Sequence, residues 1–308
     1  MRDTFVRTLV NLAKEDKKIE LVTGDLGFGV LKPFWEQCPD QFTNAGIAEQ
    51  NMTGVAAGMA LQGKTVFTYS IGNFPTLRCL EQVRNDCAYH NANVKVVCVG
   101  GGFVYGSLGM SHHAIEDIAI MRSLPDMVVM APGDLVEAEE ATKALAKYKG
   151  TAYLRLGRGG EKRIHDHIDN FQIGKAIKVH DGGKIAIFSA GAIFDEVQEA
   201  YSQLKELGLT PMVYTFPTIK PIDKEVIEQC AKSCDFIVTC EEHNIVGGFG
   251  SAVSEVMAEM KEKKAYLVRV GLHDQYATKV GSQKYLRGQY QMDAVSIKNK
   301  VIENLSVE

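Results

Sequence analysis

The chain has 308 residues, of which 45% are hydrophobic and 23% charged, and its net charge at pH 7 is −4. This length suits two hydrophobic cores, and the composition is that of an ordinary globular protein. The lack of a basic excess argues against nucleic acid and anionic membranes as partners.

The N-terminal segment is predicted to form an amphipathic helix with Phe5, Leu9 and Leu12 facing inward, unlike a signal peptide. The longest apolar runs are about half of what a bilayer requires. The 7 cysteines form no CxxC pair, so we expect reduced, mostly buried thiols, a cytoplasmic location and no metal site in this chain.

Strands and helices are predicted to alternate along the first half of the chain. The predicted strands cover residues 17–26, 64–70, 93–101, 126–132 and 151–158. The predicted helices begin near Glu49 and at residues 76–90, 112–124 and 134–148. Short apolar strands separated by helices are typical of a parallel sheet with helices on both faces.

The second half repeats this pattern on a smaller scale. Predicted strands and helices alternate through 184–191, 195–207, 210–217, 224–233, 234–242, 247–260 and 264–271. The sequence therefore predicts an α/β protein with two doubly wound, mainly parallel sheets. We expect a first domain over 1–160, a charged linker over 161–180 and a second domain over 181–308.

Two glycine motifs suggest nucleotide binding but lack the required context. Residues 58–65 match the P-loop pattern, yet a predicted helix precedes them and a strand follows, the reverse of a phosphate-binding loop. The glycines at 100–102 and 247–250 follow predicted strands without completing GxGxxG. A nicotinamide enzyme therefore stays a minor alternative.

Glu49 opens a predicted helix rich in small apolar residues, with Gly54 and Gly58 leaving room for a close neighbour. A carboxylate at this position has two explanations. It is either a charge that stabilises the helix N-terminus or a buried acid that binds a ligand. The residues alone leave both open.

Six stretches in a fixed order resemble the transketolase family, and together they cover essentially the whole chain. They are TGDLGFG (23–29), GIAEQNMTGVAAGMALQG (46–63), FTYS with the following aromatic and LEQVRND (67–86), GSLGMSHH and its continuation (106–134), LRLGRG (154–159) and EEHNIVGGFGSAVSEVM (241–257). The resemblance implies the pyrimidine-binding and C-terminal domains of a thiamine diphosphate enzyme that transfers a ketol unit between sugars.

The resemblance assigns cofactor-binding roles to several residues of the first domain. Glu49 matches the catalytic acid that hydrogen-bonds N1′ of the aminopyrimidine and so activates the cofactor. Phe74 matches the aromatic residue that stacks on the pyrimidine, with Tyr69 as the other candidate, although either ring would also suit a core. Asp25 matches an acid near the cofactor, or it caps the following turn.

Substrate-binding roles follow from the same resemblance. His112 matches a histidine that contacts the reacting oxygens of the ketose donor, which makes it the second catalytic candidate. His113 is its neighbour and is expected to support it or to lie at an interface. Arg158 matches a residue that holds the distal anion of a sugar phosphate, and Arg2 aligns more loosely with another such arginine, or is a surface residue.

The chain departs from the family pattern at two positions. Leu108 stands where relatives have an aspartate that hydrogen-bonds a substrate hydroxyl, and Gly100 stands where relatives have a histidine near the substrate phosphate. We therefore expect the substrates to differ from the ordinary pair of xylulose 5-phosphate and ribose 5-phosphate.

No GDG motif followed by a metal-binding asparagine occurs in the chain, although this motif holds the diphosphate and metal in the family. We therefore expect a separate N-terminal subunit to hold the diphosphate and most of the Mg²⁺ or Ca²⁺ site, in an α2β2 enzyme. The alternatives are a deoxyxylulose phosphate synthase, the beta subunit of a two-oxo-acid dehydrogenase, or a non-catalytic transketolase-like subunit.

Overall fold

A computed structural model describes residues 1–305 of the chain. The strands are β1 (Ile19–Thr23), β2 (Phe42–Asn44), β3 (Thr65–Ile71), β4 (Val94–Val99), β5 (Val128–Met130), β6 (Ala152–Leu156), β7 (Ile177–His180), β8 (Ile185–Ala190), β9 (Met212–Thr215), β10 (Thr218–Lys220), β11 (Phe236–Asn244) and β12 (Tyr266–Leu272).

The helices lie before, between and after these strands. They are α1 (Arg2–Glu15), α2 (Lys32–Gln37), α3 (Glu49–Leu61), α4 (Leu80–Gln82), α5 (Asp117–Ser123), α6 (Leu135–Lys147), α7 (Phe194–Glu206), α8 (Lys224–Ser233), α9 (Phe249–Glu259), α10 (Gln283–Gln289) and α11 (Ala294–Leu305). No helix among residues 1–305 has both the length and the apolar character needed to span a bilayer.

The strands form two mainly parallel sheets, which confirms the predicted fold class. The first has the order β10-β5-β6-β4-β3-β1-β2, and the second has the order β12-β11-β8-β9-β7. Among the strands of residues 1–305, only β10 in the first sheet and β7 in the second run antiparallel to their neighbours. Such sheets need cover on both faces because successive side chains point to opposite sides.

Strand β1 shows how successive side chains point to opposite faces of the sheet. Leu21 packs into an apolar cluster with residues of α1 and α6, whereas Val22 packs into a second cluster with residues of α3. The second cluster continues into the other sheet through Phe216 and Phe249. This second cluster therefore packs against both sheets.

β10 belongs to the second half of the sequence but pairs with β5 of the first sheet. Thr218 lies opposite Met130 in an antiparallel register, and the backbone N–H of Ala131 donates to the carbonyl of Pro217 at 2.9 Å. The first sheet is therefore completed by residues that follow the predicted linker.

Two predicted helices differ from the structure. The expected helix over 76–90 is the single turn α4 followed by a π-helical segment, Val83–Ala88. The expected helix over 112–124 begins only at Asp117, because Ala114 forms an antiparallel bridge with Gly102. The second change leaves irregular backbone between the short 3-10 turn Met110–His112 and α5, at the candidate site.

Candidate active site

The candidate site lies where β1, β2 and β3 end, because parallel strands bring their carboxyl ends to one edge of the sheet. Thr23 pairs with Asn44 in the register between β1 and β2. The amide of Asn44 donates to Oδ1 of Asp25 at 2.9 Å, and the backbone N–H of Asp25 donates back to Asn44 Oδ1 at 2.9 Å. Asp25 therefore fixes the loop after β1 against the loop after β2.

Glu49 is the first residue of α3 and only 4% exposed. A Cβ atom added to Gly24 would lie 3.4 Å from Cγ of Glu49, so the glycine lets the loop after β1 approach the acid closely. Ala48, which precedes the helix, offers no side-chain cap. The Glu49 carboxylate thus lies at the N-terminus of α3, next to the loop that follows β1.

Arg78 binds this carboxylate. Its Nη1 donates to Oε2 of Glu49 at 2.8 Å. Its guanidinium carbon also lies 4.6 Å from the ring centroid of Phe74, in a cation–π contact. A planar group with N–H donors is therefore bound between the acid and the aromatic face.

Phe74 connects this pair to the histidine loop. Its ring centroid lies 5.3 Å from that of His112 in an edge-on arrangement. The Asn73 amide donates to the carbonyl of His113 at 3.0 Å and to that of Ser111 at 3.3 Å. These hydrogen bonds hold the loop after β3 against the loop that follows β4.

The two histidines of this loop have different environments. His112 is half-buried, and Ser111 Oγ lies 3.0 Å from its Nδ1. Burial, together with the charge of His113, lowers the pKa of His112 below 6.5. His113 is 1% exposed, and its Nε2 lies 3.1 Å from the carbonyl oxygen of Gly106. His112 is therefore the member that faces the site, and His113 supports the loop from inside.

Tyr69 lies away from this group. It is 2% exposed and stacks on Phe5 with ring centroids 6.3 Å apart. Its ring is part of the apolar cluster under α1. Of the two stacking candidates, Phe74 is the one that the structure brings next to the partner of Glu49.

The two candidate arginines lie close to one tyrosine. Arg158 is exposed just after β6, with its guanidinium carbon 5.2 Å from the ring centroid of Tyr105. Arg2 is half-buried at the start of α1 and pairs with Asp3 at 2.9 Å. Burial raises the pKa of Tyr105, and the charges of Arg158 and Arg2 both oppose that rise. The two guanidinium groups therefore lie close enough to influence the ionisation of the same phenol.

Arg78, Asn73 and Tyr105 are site residues that the sequence analysis did not identify. Arg78 follows the candidate stacking residue Phe74 by four positions, and that basic residue beside an aromatic residue was the available signal. Asn73 and Tyr105 had no comparable signal, because their contacts join loops that are far apart in sequence.

The buried acids Asp134 and Glu137 and the half-buried His165 together have the composition of a metal site. The carboxylate oxygens of the two acids already accept hydrogen bonds from other groups of the protein. Asp134 Oδ1 accepts from the N–H of Glu137 at 2.8 Å, and Glu137 accepts from Thr215 Oγ1 at 2.6 Å and from the N–H of Gly133 at 2.6 Å. His165 Nε2 lies 3.0 Å from Glu137 Oε1. This group therefore fastens the predicted linker to both halves of the chain.

Two family models match the chain. The transketolase pyrimidine-binding domain matches residues 1–160, and the transketolase C-terminal domain matches residues 174–297. Together they cover most of the sequence.

Individual relatives agree with these matches. The chain is 39% identical to the putative transketolase C-terminal section of Methanocaldococcus jannaschii, over 100% of the chain and 97% of that protein. It is 38% identical to a subunit of the apulose-4-phosphate transketolase of Phocaeicola vulgatus, over 84% of the chain and 83% of that subunit. A solved structure described as a split gene transketolase, inactive beta4 tetramer, has a TM-score of 0.88 and 32% identity, covering 99% and 98%. The chain therefore belongs to the transketolase family.

Proposed function

We propose that this chain is the C-terminal subunit of a thiamine diphosphate-dependent transketolase, which transfers a two-carbon ketol unit from a ketose to an aldose acceptor. The observation that carries the proposal is the arrangement of Glu49 and Phe74 around one planar, N–H-bearing group. The buried acid and the half-buried aromatic ring form two sides of a slot at the edge of the first sheet.

The residues of this slot fit an aminopyrimidine. The guanidinium of Arg78 and an aminopyrimidine are both planar, and both offer N–H groups in their plane. Glu49 would hold N1′ through its carboxylate, and Phe74 would support the ring face. Asp25 would contribute indirectly, because its exchange of hydrogen bonds with Asn44 fixes the loop beside Glu49.

When bound, thiamine diphosphate would carry the two-carbon unit between donor and acceptor. The chain's own residues would hold and orient the sugars. His112, neutral at pH 7 because burial lowers its pKa, can both accept and donate hydrogen bonds to the reacting oxygens. Arg158, with Arg2 nearby, would hold the distal anion of a sugar phosphate or a related substrate.

A partner subunit is part of the proposal. Phe28, Ile47, Leu108 and Met110 are exposed apolar side chains on loops at the same edge of the first sheet, and Ile47 is 81% exposed. Such side chains around a polar site are typical of a surface that another chain covers. We propose an N-terminal subunit there, which holds the diphosphate and the Mg²⁺ or Ca²⁺, in a cytoplasmic α2β2 enzyme.

The relatives' descriptions support this division. One is called a C-terminal section, another is a subunit of a transketolase, and the split gene relative is described as inactive in its beta4 form. Each of these relatives has about the length of this chain alone.

The donor and acceptor are proposed to differ from the ordinary pentose phosphate pair. Leu108 is 55% exposed and offers no hydrogen bond to a substrate hydroxyl, and Gly100 brings no side chain to the phosphate end. A site without these polar groups gains no binding energy from the substrate hydroxyl and the phosphate that they would contact.

Reconstitution tests the proposal. The chain alone, the N-terminal subunit from the same genome alone, and the mixture are assayed with thiamine diphosphate, Mg²⁺ and a panel of ketose and aldose phosphates. We expect ketol transfer only in the mixture, and weak transfer from xylulose 5-phosphate to ribose 5-phosphate. Full turnover by the chain alone would overturn the split enzyme, and the absence of ketol transfer from every combination would overturn the activity.

A further inference from the structure

We infer that Tyr105 contacts the substrate and determines which sugars this site accepts. The inference rests on the proposed function, since it concerns the sugar-binding part of the same site. Tyr105 lies in the loop after β4 and immediately precedes a short 3-10 turn, Gly106–Leu108. Its side chain is half-buried.

The ring of Tyr105 occupies the space beside Gly100. A Cβ atom added to Gly100 would lie 2.3 Å from both Cδ2 and Cε2 of Tyr105, so the phenol ring fills the space that a side chain at position 100 would take. Gly100 also has a φ of +98°, which disfavours any other residue. The resemblance implies that relatives have a substrate-binding histidine at this position, which is Gly100 in this chain. Here Tyr105 brings a different polar group to that place.

The ring of Tyr105 lies between two proposed substrate contacts. Its centroid is 6.3 Å from that of His112 and 5.2 Å from the guanidinium carbon of Arg158. His112 is proposed to bind the reacting oxygens, and Arg158 the anion at the other end. A sugar that spans these two residues must pass along Tyr105.

The hydroxyl of Tyr105 is available to a ligand. None of the hydrogen bonds among residues 1–305 involves this hydroxyl, and the half-buried side chain leaves it accessible to a ligand. Burial raises the pKa of Tyr105 overall, despite the opposing charges of Arg158 and Arg2, so the hydroxyl keeps its proton at neutral pH. It can therefore donate to a sugar oxygen.

A purely structural role would need only the ring, which packs over Gly100. The two roles are separable because Tyr105→Phe keeps the ring and removes the donor, whereas Tyr105→Val removes both. A site that hydrogen-bonds a substrate hydroxyl discriminates more strongly than an apolar wall does.

The test uses the chain reconstituted with its N-terminal subunit. Hydroxypyruvate serves as donor because it supplies the two-carbon unit without sugar hydroxyls or a phosphate. The acceptors are glyceraldehyde 3-phosphate, erythrose 4-phosphate and ribose 5-phosphate. For Tyr105→Phe we expect KM for the preferred acceptor to rise about tenfold, as for one lost hydrogen bond, while kcat stays near that of the unchanged protein. For Tyr105→Val we also expect the ranking of the acceptors to change.

Tyr89→Phe is the matched control, because Tyr89 is exposed and lies outside the site. Transfer whose KM values and acceptor ranking are the same in both Tyr105 variants as in the unchanged protein would overturn the inference and leave the proposed function standing. Absence of transfer by the unchanged pair with every acceptor would overturn the proposed function and the inference with it. If Tyr105→Val fails to fold, the KM of Tyr105→Phe for the preferred acceptor still tests the inference.

Discussion

The guanidinium of Arg78 binds the carboxylate of Glu49, with Nη1 of Arg78 2.8 Å from Oε2 of Glu49. The guanidinium carbon of Arg78 lies 4.6 Å from the centroid of the Phe74 ring. Glu49 is buried, whereas Arg78 is about half exposed. The acid that we propose as the cofactor's partner therefore already has a partner from the same chain, and binding of a pyrimidine must displace or share this contact.

Removing this competitor is expected to strengthen cofactor binding. In the reconstituted enzyme, Arg78→Met should lower the Kd for thiamine diphosphate by about fivefold, corresponding to the roughly 1 kcal/mol of a partly exposed ion pair. Isothermal calorimetry measures this directly. Arg84→Met is the control, since the Arg84 side chain contacts only the neighbouring Asn85 among the described hydrogen bonds. Weaker binding by Arg78→Met would show that Arg78 supports the cofactor instead.

Glu49→Gln is expected to reduce turnover of the reconstituted enzyme by at least about a hundredfold, because an amide cannot share a proton with the pyrimidine nitrogen as a carboxylate does. Steady-state ketol transfer and the circular dichroism spectrum are compared with those of Glu36→Gln, an exposed residue of α2. Near-normal turnover by a folded Glu49→Gln protein would refute the assigned role.

The pH dependence of kcat/KM should reflect His112. Burial and the charge of His113 lower its pKa below 6.5, so the ring stays neutral down to a lower pH than an ordinary histidine. The acid limb of the profile is therefore expected below pH 6.5, and His112→Gln should remove that limb. His167→Gln, at an exposed position, should leave it in place. An acid limb above pH 6.5 would contradict the prediction.

Stability should depend strongly on the buried pair of Arg155 and Asp117. Arg155 Nε donates to Asp117 Oδ2 at 2.8 Å, and its Nη2 donates to the carbonyls of Ala114 and Glu242 at 2.8 and 3.0 Å. Arg155→Met leaves Asp117 without its charge partner, which should lower the free energy of unfolding by about 3–5 kcal/mol.

Urea denaturation measures this change, with Arg163→Met at an exposed position as control. The double variant Arg155→Met, Asp117→Asn should be more stable than Arg155→Met alone, since no buried charge is then left unpaired. Equal stability of the two Arg155 variants would show that the loss comes from packing and not from charge.

The alternation of apolar strands and helices was sufficient to predict the fold class, because each long buried strand leaves a clear apolar run. β2 and β10 were not predicted as separate strands, since strands of three residues carry little pattern of their own. The π-helical segment Val83–Ala88 was also missed, because helical sequences with and without a widened turn look alike.

The residues of the candidate site were accessible from the sequence only through the family resemblance. Without the resemblance, a helix-terminal charge was the favoured explanation of Glu49. The pairing of Glu49 with Arg78 and the packing of Tyr105 on Gly100 depend on loops whose conformations periodicity does not determine. The roles assigned to these residues, and the domain boundaries at 160 and 181, stay predictions.

The pairing of β10 with β5 has a practical consequence for dissecting this protein. A fragment that ends at residue 160 keeps β5 but loses Thr218–Lys220, its neighbour in the sheet. The outer side of β5 would then be a bare edge, ready to pair with strands of other copies. Aggregation of such a fragment would reflect a missing strand and not an unstable pyrimidine-binding fold.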